Sequence, residues 1–265
     1  MMFGKLLKYD LRAMLRALLP LWLTTIGLSI VCTLLYKGAR VVPQTAMGRF
    51  LLLILPSIAL VLLMGAMFTV SVVYMVRGFS RGLLGQEGYL MFTLPVSTGS
   101  LVASKALSAL IVEVLTAVAF AACVAVLVTM NATWAEVRDG LREMARAMRE
   151  VMDRQPDFLP TLCIVAVIAL LWMLSFNLQT YLACAVGQLA QKHRTALGIV
   201  TFCAISIAQG KLIPWALSLF PHEMHAEMDV VCNGCLWGAV VAPLVFSAIY
   251  FALTRWILAR RLNLE

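Results

Sequence analysis

The chain has 265 residues, 62% of them hydrophobic and only 13% charged, with a mean hydropathy of +0.93 and a formal charge of +8. A soluble domain is about half apolar and about a quarter charged, so this composition excludes a soluble enzyme, a disordered protein and a fibrous one. Six spans of about 20 apolar residues use nearly the whole length and leave no room for a soluble catalytic, nucleotide-binding or nucleic-acid-binding domain.

The apolar runs are too long for the ~10-residue alternating strands of a membrane barrel. The expected fold is therefore all-α, a polytopic helical bundle of six transmembrane helices in one domain covering 1–265. Residues 1–17 precede any span. There Lys5, Lys8, Arg12 and Arg16 share one helical face, and Phe3, Leu7, Leu11, Met14 and Leu18 another. That pattern predicts an amphipathic interfacial helix with its basic face on anionic headgroups; a plain basic flank to the first span is the simpler alternative. Spans are expected at 18–36, 50–76, 101–129, 160–187, 196–219 and 232–257. The first lacks a small-residue cleavage site around Tyr36-Lys37-Gly38, so it reads as a span and not a signal peptide.

The positive charge reads as topology. Lys5, Lys8, Arg12, Arg16, Arg77, Arg81, Lys105, Lys192, Arg194, Arg255, Arg260 and Arg261 lie on the termini and even-numbered loops, against only Asp10, Glu87 and Glu265. The opposite side is balanced. Both termini are then cytoplasmic, in a multi-pass protein of the cell membrane.

Between spans two and three, residues 77–100 form a cytoplasmic connection rich in Leu, Tyr and Phe. Those side chains need a partner: the membrane surface, the protein's own helices, or another subunit. Between spans three and four lies an external insert, 131–159. Within it Trp134, Val137, Leu141, Met144, Met148 and Val151 recur at a 3-4 spacing over about three heptads. This predicts an external amphipathic helix over 134–154, able to lie on the membrane or to pair with a second copy. The fifth span is interrupted by Gln209, Gly210, Lys211 and Pro214. A continuous helix with Lys211 snorkelling outward is one reading; a broken or re-entrant outer half fits the Gly, Lys and Pro together and is favoured.

No phosphate loop, nucleophile elbow or H-E-x-x-H zinc motif occurs, and His222-Glu223-Met224-His225 is one residue short of the last. Glu113 falls about 12 residues into span three, near mid-membrane, where a carboxylate marks a candidate site. Asn177 and Gln209 are expected at a similar depth. A hydrogen-bonded tie between helices is the simpler account of the three, and substrate contact or gating the sharper one. His222, His225, Cys232 and Cys235 have a spacing that zinc could use. A disulfide or two thiols at a span end are simpler, and no resident metal or cofactor is expected.

The run Tyr89-Leu90-Met91-Phe92-Thr93-Leu94-Pro95-Val96-Ser97, preceded by Gly85, Glu87 and Gly88, resembles the permease subunits of bacterial type-2 ABC exporters. In that family this connection contains the coupling helix, which sits in a groove of the ATPase. The amphipathic N-terminus is similar to the family's connecting helix, and the interrupted fifth span to its external hairpin. The specific match covers only about residues 77–105; the insert at 134–154 and the cysteines near 232 depart from the pattern. The resemblance implies an ABC ATPase subunit as partner, binding its own ATP and Mg, docked on Gly85, Glu87, Gly88, Tyr89, Leu90 and Phe92. It also implies a second permease copy, or a related permease, within the lipid bilayer, and an exporter as the function. The alternative from another class is a non-transport membrane sensor or assembly protein that uses the 134–154 helix for recognition. No enzymatic chemistry is expected of this chain.

Overall fold

The computed structural model describes residues 2–41, 46–84, 97–131, 134–154, 158–190, 193–218 and 228–260. These residues form seven helices and no strand: α1 (Met2–Val41), α2 (Ala46–Leu84), α3 (Thr98–Asn131), α4 (Trp134–Arg154), α5 (Phe158–Gly187), α6 (Arg194–Ser218) and α7 (Met228–Arg260). Six are long and apolar enough to cross a membrane, through Gly4–Lys37, Ser57–Leu83, Thr98–Val128, Leu159–Gly187, Arg194–Leu212 and Gly238–Ala259. The fold is thus that of a multi-pass helical membrane protein.

Side-chain placement agrees with a lipid solvent. Large apolar residues such as Val61, Leu62, Phe68 and Ile199 point outward. In water, so large an apolar surface would mark an aggregation liability; in lipid it is solvated. The interior is instead rich in small and hydroxyl residues, among them Thr25, Ser29, Thr33, Ser104, Ser108 and Thr116. Lipid tails are as apolar as leucine, so helices gain by close backbone approach and small side chains allow it. The hydroxyls are satisfied on their own helices: Thr25 donates to the Leu21 carbonyl at 2.7 Å, Thr33 to Ser29 at 2.8 Å and Thr116 to Val112 at 2.8 Å.

Two segments depart from the sequence-based expectation. The interfacial helix expected over 1–17 is not separate from the first span, because both belong to the 40-residue helix α1, with Pro20 inside it. Lys5, Lys8, Arg12 and Arg16 are exposed as expected, but Met14 and Leu18 are buried against Val112 of α3, with Val70 of α2 alongside. Protein, not lipid, covers that part of the apolar face. The fifth span is also unbroken: α6 runs helical through Gln209, Gly210 and Lys211 to Ser218, with Pro214 inside. A glycine costs a helix about 1 kcal/mol and a proline about 3, whereas leaving the ladder in lipid strands several backbone groups at several kcal/mol each. Continuity wins, and Lys211 lies exposed on the helix surface.

The chain divides into two compact units. One comprises Met1–Asp10, Met75–Leu110 and Pro160–Glu265, the other Leu11–Tyr74 and Ile111–Leu159. In the second, Met14, Leu18 and Val112 form a buried core with Leu11, Leu21, Trp22 and Val70 around it. In the first, α5 and α6 meet as a tight hairpin. A Cβ added to Gly187 would lie 2.6 Å from the Arg194 carbonyl oxygen and 3.2 Å from the Gly198 backbone. Only glycine permits that approach.

Candidate functional site

In the first unit a buried cluster of polar and aromatic side chains surrounds Lys105. Helix α3 begins just after Ser97, whose side-chain oxygen accepts the Ser100 N–H at 3.3 Å and whose carbonyl accepts Ser100 and Leu101 N–H at 2.9 and 3.2 Å. This is an N-cap, satisfying donors that the first turn cannot. Two turns on, Lys105 lies on the buried seam of Leu101, Val102 and Ala109. Its Nζ donates to Asp10 Oδ1 at 3.1 Å, and the two side chains are 5% and 16% exposed. An ion pair so far removed from water is held by its partners and is not a surface contact.

Each neighbour has a definable part. A Cβ on Gly82 of α2 would stand 2.8 Å from Lys105 Nζ and 3.1 Å from its Cε. The bare glycine is what lets the ammonium pass against the α2 backbone on its way to Asp10. Tyr181 of α5 donates its hydroxyl to the Lys105 carbonyl at 3.1 Å. Its ring stacks on Phe79 of α2, with centroids 4.2 Å apart and planes 7° from parallel. Phe79, Leu83 and Tyr181 are completely buried. Four helices (α1, α2, α3 and α5) are tied at one place. A fifth approaches α3 close by, where Gly99 faces Phe251 and Arg255 of α7.

The cluster fixes the register of α2 and α3 on either side of the connection that joins them. A second tie links α5 to α6, where the Gln179 amide donates to Ser206 Oγ at 2.7 Å and to the Phe202 carbonyl at 3.3 Å. Phe176 and Phe202 meet edge to face beside it, centroids 5.8 Å apart.

The residues singled out from the sequence fall as follows. Gly85, Glu87, Gly88, Tyr89, Leu90 and Phe92 lie outside the described residues, but both their helical flanks are described and converge on the Lys105 cluster. Of the intramembrane set, Asn177 is fully buried and Gln209 half-buried in the first unit, while Glu113, half-buried, belongs to the second. The glutamine that bridges α5 and α6 is Gln179, not one proposed from the sequence. His222 and His225 lie outside the described residues, as do the side chains of Cys232 and Cys235, whose backbone begins α7. Among the described residues no group of three His, Cys, Asp or Glu comes together to hold a metal.

In the charge pattern of the sequence, Lys105 and Asp10 count only as topological charges. Each is nonetheless an anomaly in its own pattern. Asp10 is spaced three residues after Leu7 and four before Met14, which places an acid on the apolar face of α1. Lys105 interrupts the apolar seam of α3 in the same way. No family model, curated protein or solved structure matches the chain.

Proposed function

We propose that the chain is the membrane-spanning permease subunit of an ABC transporter of exporter type, driven by a separate ATPase that docks on residues 85–94. The observation that carries this reading is the Lys105 cluster bracketing the segment that resembles the coupling helix. α2 ends and α3 begins at the two ends of that segment, and both are locked into a common buried core. A push on residues 85–96 would pass to α1 through Lys105 and Asp10, and to α5 through Phe79 and Tyr181. Rigid hand-over of this kind is what coupling requires, because packed helices shift as units and do not deform continuously. Two copies, or one copy with a related permease, would line the pathway in the cell membrane, with the termini on the cytoplasmic side.

Glu87 supplies the charged contact with the ATPase in this reading, and Tyr89, Leu90 and Phe92 the apolar anchor. The test is Glu87→Arg in the full chain, co-expressed with the partner ATPase that this reading requires. The variant should insert normally and lose coupling of ATP hydrolysis to transport. Unchanged transport and co-purification in Glu87→Arg, and again in Tyr89→Ala, would refute the assignment.

A further inference from the structure

Helix α4 presents a surface that the fold does not use. Leu141 and Met144 are 57% and 62% exposed, and Met148, Val151 and Met152 are exposed beside them. At 100° per residue, these residues and Val137 fall within about one third of the helix circumference. The charges are sorted around that stripe. Arg138, Arg142, Arg146 and Arg149 run from one edge of the stripe toward the far face, and Glu136, Asp139, Glu143 and Glu150 fill the polar arc from there to the other edge.

We propose that α4 is seated in the lipid headgroup layer on the face of the membrane opposite the termini, its methionine-rich stripe at the acyl boundary and its arginines on lipid phosphates. Three observations select lipid over protein as the occupant. The first is chain length. A 21-residue helix is about 30 Å long, and only residues 132–133 and 155–157 join it to α3 and α5. Three extended residues reach about 10 Å, too little to return from a helix standing off the membrane, so α4 lies along the surface. The second is the position of the arginines. Four cations on one side of an apolar stripe, beginning with Arg138 at its edge, suit an anionic interface that they reach along that edge.

The third is what a second copy would need. With Val137, Leu141, Met144, Met148 and Val151 as the seam of a coiled coil, the flanking positions hold Arg138, Ala145 and Met152 on one side and Gly140 and Ala147 on the other. No acid stands there to meet a partner's arginine, so the charge pairs that specify such coils are missing. Asp139 approaches Arg142 at 3.6 Å and Arg138 at 3.9 Å. Both contacts are long and solvent-exposed, the class worth least, and give way readily to phosphate. The inference does not rest on the transport reading.

The test uses the full chain with its own cysteines, reconstituted in vesicles of phosphatidylglycerol and phosphatidylethanolamine. A photo-reactive p-benzoylphenylalanine is placed in turn at Met144, Met148, Glu143 and Glu150. Illumination should give lipid adducts at Met144 and Met148 and little at Glu143 and Glu150. Arg142→Glu with Arg149→Glu should lower the adduct yield at Met144, since each arginine favours the seated state about fivefold at an anionic surface; Arg142→Lys with Arg149→Lys should preserve it. A product of doubled mass from Met144 would overturn the proposal in favour of a second copy. So would equal lipid yield from both faces, no adduct at Met144 above that at Glu143, or indifference to the charge reversal.

Discussion

Replacing Asp10 by alanine removes the carboxylate that contacts Lys105 among the described residues. At 3.1 Å and an effective dielectric constant of about 20, the pair's attraction is about 5 kcal/mol. Desolvation of the two ions offsets most of it, so the intact pair adds little net stability. The single variant is a different matter. Lys105 is 5% exposed and boxed in by the Gly82 backbone, so its ammonium stays buried without a counter-charge, at a cost of about 3–5 kcal/mol. Lys105→Met should cost a comparable amount, because Asp10 Oδ2 is itself buried without a hydrogen-bond partner. The double variant Asp10→Ala/Lys105→Met should recover to within about 1 kcal/mol of the parent, an apolar side chain of similar length having replaced the buried charge. The assay is a double-mutant cycle in lipid nanodiscs or mixed micelles, with unfolding followed by tryptophan fluorescence. A loss below about 0.5 kcal/mol in Asp10→Ala would show an ordinary surface pair and refute the argument that this cluster braces the helices.

Further outcomes follow from other contacts. Gly187→Ala forces a Cβ against α6 backbone atoms at Arg194 and Gly198 and should destabilise by about 3 kcal/mol or more. Gly210→Ala meets open space and should be neutral or stabilising by up to about 1 kcal/mol; the same unfolding assay ranks the two, and the reverse order would contradict the α5–α6 packing. Tyr181→Phe keeps the stack on Phe79 and loses one hydrogen bond, so it should cost about 1 kcal/mol, against about 3–5 for Tyr181→Ala. If the proposed transport function holds, Glu113→Gln should keep expression and most transport, because an amide retains much of the hydrogen bonding of a structural carboxylate. A well-folded but inactive Glu113→Gln protein would assign that residue to the transport pathway instead.

The sequence made the spans legible because twenty apolar residues in lipid have one backbone solution. The insert helix over 134–154 was found at both ends, since its 3-4 apolar period stands out between the polar stretches 131–133 and 155–157. The continuity of α6 was not legible. Gly210, Lys211 and Pro214 are local signals, and the backbone satisfaction that overrides them is a property of the surrounding lipid. Neither was the junction within α1, where an amphipathic pattern reads alike whether lipid or the Val70–Val112 wall covers it. The Lys105–Asp10 tie required knowing that two polar residues, each alone on an apolar face, face one another. Pattern finds the anomalies singly; only the fold pairs them.

The tie also constrains the order in which the molecule can be made. Asp10 and Lys105 are 95 residues apart in the chain. At a synthesis rate of about 5–20 residues per second, the lysine leaves the ribosome about 5–20 s after the aspartate. Two apolar spans will by then have reached the bilayer, while the head of the first helix still has nothing to grip. The third span therefore closes a latch that the nascent chain has carried open since its first residues. Chains arrested before Lys105 keep an unanswered acid on an apolar face.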